Sequence, residues 1–112
     1  MATITNLYID AGSDYNIIVT ANQGNGDPLD LTNYTVKSQI RKSYASSTAY
    51  DFTASLYAAT SGKIKLSLSA TQTSAIKPGR YLYDVEITHG STGEKRRVLE
   101  GIIIVTPEIT QV

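Results

Sequence analysis

The strongest constraint on this chain is a two-residue alternation of apolar and polar side chains that recurs along nearly its whole length. Ile64, Leu66, Leu68 and Ala70 alternate with Lys63, Lys65, Ser67 and Ser69. Tyr34, Val36, Ser38 and Ile40 alternate with Thr35, Lys37, Gln39 and Arg41. Successive side chains of a strand point to opposite faces, so this period marks strands with one dry and one wet face. Nowhere does a period of 3.6 persist for ten residues, so helical crossovers between parallel strands have no material. Only Ala70–Ile76 reads as a helical turn, capped by Thr71 or Thr73 and ended by Lys77-Pro78-Gly79.

The same alternation yields seven strands. Leu7 and Ile9 share a face in a short first strand. Tyr15, Ile17, Val19 and Ala21 make the inner face of the second, where Ile18 interrupts the polar side and predicts cover on both faces. Tyr34–Arg41, Tyr50–Leu56 and Lys63–Ala70 follow, then the strand with Tyr81, Tyr83, Val85 and Ile87 inward, and finally Lys95–Thr106. Turns separate them: Gly24-Asn25-Gly26-Asp27-Pro28, Ser61-Gly62 and the hairpin loop His89-Gly90-Ser91-Thr92-Gly93. Leu29 and Leu31 are expected to plug the core where the chain crosses between sheets. Gly101, in mid-strand, predicts a bulge or a close backbone approach. Regular short strands divided by turns predict an all-β, immunoglobulin-like, seven-stranded Greek-key β-sandwich. Its 112 residues make one domain, spanning 1–112.

Composition narrows function. Ten Lys and Arg balance ten Asp and Glu, unlike the basic excess of a nucleic-acid binder. Cysteine is absent, which removes disulfides and thiolate metal sites and fits a reducing site of synthesis. The first six residues lack the pattern of a signal peptide, and Ile102–Val105 is too short to span a bilayer.

No residue set supports catalysis or a cofactor. His89, the only histidine, sits in a hairpin loop, and a base needs a placed nucleophile and an orienting acid. Asp27 and Asp30, with Asp10 and Asp14 at a neighbouring loop, offer oxygen for calcium, but turn aspartates more often bond their own backbone. Glu94-Lys95-Arg96-Arg97 reads first as charge that protects a sheet edge, and second as a contact for an acidic partner surface. Tyrosines on the surface favour a protein interface over a sugar platform, because tryptophan is absent. The apolar residues on both faces of Ile102–Val105 fit either a central strand or an edge covered by a partner. The candidate docking residues are therefore Arg96, Arg97, Ile103, Val105 and Ile109, on the last strand and the terminal segment.

Three segments in order carry a resemblance. Leu29-Asp30-Leu31-Thr32-Asn33-Tyr34 leads into Gln39-Ile40-Arg41-Lys42. Leu66–Thr73 precedes Pro78-Gly79-Arg80-Tyr81-Leu82-Tyr83-Asp84-Val85. Arg97–Gly101 is followed by Val105-Thr106-Pro107-Glu108-Ile109-Thr110. Across about Tyr15 to Thr110 the chain resembles small immunoglobulin-like virion proteins of tailed bacteriophages and the N-terminal domain of phage baseplate upper proteins. The resemblance implies a non-enzymatic structural subunit, made in the host cytoplasm and carried on the virion in several copies or as a homo-oligomer. Its partners would be other virion proteins, with no nucleic acid, membrane or cofactor. The chain stops at Val112, without the receptor-binding segments that follow the baseplate domain, so a tail, baseplate or neck accessory subunit is expected. A capsid decoration protein, and a carbohydrate-binding or host-surface adhesion module, are the alternatives.

Overall fold

The alternation folds into two facing sheets in a computed structural model, which describes residues 3–22, 27–43, 45–47 and 49–107. The strands are β1 (Thr3–Ile4), β2 (Leu7–Asp10), β3 (Tyr15–Thr20), β4 (Tyr34–Arg41), β5 (Ala49–Asp51), β6 (Thr53–Ala58), β7 (Lys63–Leu68), β8 (Gly79–His89) and β9 (Lys95–Thr106). A short helix, α1 (Ala70–Ser74), and one 3-10 turn (Ala59–Ser61) complete the described elements. The large sheet runs β1-β9-β8-β4-β5, with β2 also paired to β9, and the small sheet runs β3-β7-β6. Strands β8 and β9 form a hairpin, whereas β4 and β8, and β9 and the β1–β2 run, are neighbours far apart in sequence, the Greek-key connection of an immunoglobulin-like sandwich.

Nine segments reduce to seven chain runs, as the alternation predicts. Strands β1 and β2 are one run broken at Thr5-Asn6, both parallel to β9. Strands β5 and β6 are one run in which the chain leaves β4 at Phe52 and joins β7. The sequence reads Tyr50–Leu56 as a single strand, because a bend that changes sheets preserves the inward parity of its side chains. Tyr50, Phe52, Ala54 and Leu56 all pack on the core.

That core is the inner face of both sheets. Ile9, Leu31, Ile40, Ile64, Leu66, Val85, Ile87 and Ile103 are fully buried. Ser38, also inward, is satisfied because its hydroxyl donates to the Asp84 carbonyl at 2.6 Å. Tyr81, near the start of β8, donates its hydroxyl to the Lys77 carbonyl, four residues upstream, at 2.7 Å. This is the tyrosine corner found in immunoglobulin-like sandwiches.

Side-chain hydrogen bonds close the ends. Helix α1 is capped by Ser69, not by Thr71 or Thr73: the Ser69 hydroxyl accepts from the Gln72 amide and the Gln72 side chain returns the bond to Ser69. Thr73 is instead completely buried. Its hydroxyl oxygen accepts from Gly12 N–H at 3.0 Å and lies 2.9 Å from the Ser13 carbonyl and 3.1 Å from that of Ala70. It ties the β2–β3 crossing to α1.

Gly101 resolves to a close approach. The bulge of β9 falls at Val98, where the pairing steps from Glu86–Arg97 to Val85–Leu99. At Gly101 a Cβ would stand 2.1 Å from the Thr5 carbonyl oxygen. The break between β1 and β2 thus fits into space that only glycine leaves open.

Candidate functional site

Alternation on β8 and β9 places Leu82, Asp84 and Glu86, with Glu100, Ile102 and Ile104, on the outer face of the large sheet. Strand β4 adds Gln39 and Arg41 beside them, and β1 and β2 add Ile4 and Tyr8 at the edge. Part of this face shapes an open groove of about 390 Å³ lined by Ile4, Gln39, Arg41, Leu82, Asp84 and Arg97 among others.

The groove has an ionic centre and an apolar rim. The Arg97 guanidinium lies 3.3 Å from Asp84 and 3.1 Å from Glu100. Burial, then Glu86, push the Asp84 carboxyl above the usual aspartate range, against the pull of Arg97. Arg41 donates to the Ser46 carbonyl at 2.6 Å and to Gln39 at 3.2 Å, which holds it along the groove wall. At the rim Ile4 is 71% exposed, and farther along the same edge Tyr8 is 70% exposed, large values for side chains of their size. Ile104 lies beside Tyr8 in register.

The structure sorts the sequence-predicted residues. Arg97 enters the groove. Arg96 is exposed near the start of β9. Ile103 and Val105, expected to dock, are instead core residues, 0% and 2% exposed, because β9 lies between β8 and the β1–β2 run. Their side chains meet the small sheet and cannot reach a partner. The last strand is accordingly not a free edge from Leu99 onward. Only Lys95–Arg97 have β8 alone as a described neighbour, the stretch where edge-protecting charge is expected. Ile109 lies outside the described residues, as does Tyr44. Tyr8 is one of the tyrosines that the sequence offers as a surface contact, and it is exposed. Ile4 escaped sequence reasoning, because its two-residue strand is too brief for a pattern.

The other candidates are structural in their contacts. His89 stacks edge-on against Tyr34 at 4.9 Å, and its Nδ1 accepts from the Ser91 and Thr92 amides. The Asp30 carboxylate accepts from the Thr32 amide and hydroxyl, which lowers its pKa. Asp14 accepts from Ala70 N–H and Asp10 from the Thr106 hydroxyl. Among the described residues no group of three or more acids or histidines is placed to hold a metal. No helix there is long and apolar enough to cross a membrane.

Topology, tyrosine corner and core together define an all-β sandwich of immunoglobulin-like type. The chain is similar over 94% of its length to part of InlP from Listeria monocytogenes, at 14% identity and a TM-score of 0.52, a likeness of fold alone. It also aligns over 98% of its length with a family 123 glycoside hydrolase from Clostridium perfringens, at 13% identity and a TM-score of 0.43. It spans only 28% and 24% of those two chains. No protein-family model and no curated protein matches the sequence.

Proposed function

We propose that this protein is a non-enzymatic docking subunit of a tailed-phage virion, belonging to the tail, baseplate or neck, that engages its neighbours through the outer face of the large sheet. The observation that carries the docking reading is Ile4, 71% exposed on the wall of a groove with a half-buried ionic centre, with Tyr8, 70% exposed, farther along the same sheet edge. Apolar and aromatic side chains at the surface next to oriented charge are what a protein interface uses for affinity and for register. The virion assignment is supported by the sequence resemblance. Weak docking by many copies gains strength through effective concentration, which suits a repetitive shell or baseplate.

The test is assembly. The chain is co-expressed with the structural proteins of the particle that encodes it, and purified particles are assayed for its stoichiometric presence. Wild type should co-sediment in fixed copy number, while Tyr8→Lys should be lost from particles yet retain its circular dichroism spectrum. Absence of wild type from particles, or equal incorporation of Tyr8→Lys, would defeat the reading. Incorporation confined to the capsid shell would favour a decoration protein instead, and specific binding on a glycan array would favour the adhesion module.

A further inference from the structure

The two sheets leave four lateral edges, and three of them are guarded. The β1–β2 edge is broken at Thr5-Asn6. On the far side β5, three residues long and ending in Asp51, covers only Gln39–Arg41 of β4, and the rest of that edge, Tyr34–Ser38, carries the charge of Lys37. The β6 edge carries a register irregularity between Leu56 and Ala58. Short strands, charges and bulges are the usual devices against unwanted strand addition. Strand β3 has none of them. Tyr15-Asn16-Ile17-Ile18-Val19-Thr20 contains no charge and no proline, and it pairs with β7 residue for residue without interruption. Its ladder partners among the described residues all lie on β7, so every second backbone N–H and C=O of β3 points away from the sheet. Ile18, whose outward parity predicts a cover, is 45% exposed.

We infer that β3 pairs with β3 of a second copy of this chain, antiparallel about a two-fold axis at Ile18, to make one continuous six-stranded sheet. Three features select this occupant. A two-fold axis between antiparallel strands runs perpendicular to the sheet, so outward residues must face outward residues. Centring on Ile18 then sets Ile18 against Ile18 of the copy and Asn16 against Thr20. The exposed apolar residue is covered by its own equivalent, flanked by polar pairs able to hydrogen-bond across strands. Second, the strand is neutral, so no like charges oppose one another in this register. Third, the ends are electrostatically complementary. Asp14 precedes β3, and Lys63, paired to Thr20, flanks its far end. Antiparallel pairing brings Asp14 of each copy toward Lys63 of the other, two strands across and two residues along, about 12 Å away on the same face. The groove lies on the opposite sheet, so the dimer would present two grooves. The inference goes beyond the docking reading and does not depend on it.

The test is mass in solution by light scattering over about 1 μM to about 1 mM, a span that covers weak and moderate dimers. Wild type should pass from one chain to two. Ile18→Lys places two ammonium groups across the axis and should weaken dimerisation at least about tenfold. Its far-UV spectrum should be unchanged, because the side chain is on the outer face. The chain has no cysteine, so Ile18→Cys should form a covalent dimer on oxidation, whereas Tyr57→Cys on the opposite edge should not. A wild type that stays one chain throughout overturns the inference. So do assembly beyond two chains, undiminished dimerisation of Ile18→Lys, or equal cross-linking at Tyr57→Cys. Failure here with retained particle incorporation would leave the docking reading standing.

Discussion

Replacing Gly101 by alanine should unseat the first strand run while leaving the core composition intact. The added Cβ would lie 2.1 Å from the Thr5 oxygen, 2.8 Å from the Thr5 carbonyl carbon and 3.1 Å from Asn6 Oδ1. Ordinary contact begins more than 1 Å farther out, and the opposing atoms are mostly backbone, so Thr5-Asn6 must move. Three hydrogen bonds depend on that segment. Thr5 N–H donates to the Glu100 carbonyl at 2.8 Å, the Tyr83 hydroxyl donates to the Thr5 carbonyl at 2.6 Å, and Ile102 N–H donates to Asn6 Oδ1 at 3.1 Å. At about 1 kcal/mol each, their loss costs about 3 kcal/mol. Alanine returns about 0.5–1 kcal/mol by restricting the unfolded chain. The net loss is then about 2–2.5 kcal/mol, or about 8–10 °C in melting temperature for a domain of this size. Differential scanning calorimetry and urea unfolding read the change. Tyr83→Phe removes one of the same bonds, so in the Gly101→Ala background it should cost clearly less than alone, by about 0.5 kcal/mol or more. A melting temperature within about 2 °C of wild type, or strictly additive effects, would refute the proposed role of the Thr5 approach.

Further outcomes follow from other contacts. Thr73→Val keeps the shape of the side chain but strands the Gly12 amide, and should lower stability by about 1–3 kcal/mol in urea unfolding. Tyr81→Phe removes the tyrosine-corner bond to Lys77 and should cost about 1 kcal/mol in the same assay, with the aromatic contact to Tyr50 retained. For Asp84, burial and the neighbouring acids raise the native pKa above that of the unfolded chain. Its stabilising contribution is therefore full below about pH 4 and is lost as pH rises through the native value. Carboxyl NMR titration should place the Asp84 midpoint above that of Asp30, whose bonds from Thr32 lower its own, so that its contribution runs the other way and is lost as pH falls.

Which side chains face inward was legible from local pattern. Alternation sets parity, and parity survives any arrangement of strands, so Ile64, Leu66, Tyr81, Tyr83, Val85 and Ile87 were legible as core. Turn residues divided the chain into seven runs for the same local reason. Which strands are neighbours depended on long-range pairing. Ile103 and Val105 have the parity of core residues, but whether β9 was an edge or an interior strand depended on β1 and β2, nearly a hundred residues away, lying against it. The sheet change at Phe52 was equally invisible, since a bend alters partners without altering alternation. The groove draws on four strands from both ends of the chain, and the open edge of β3 exists because the first run pairs with β9 rather than with β3. Local pattern specifies the face of each side chain, whereas neighbours, grooves and free edges arise from long-range pairing that no local window contains.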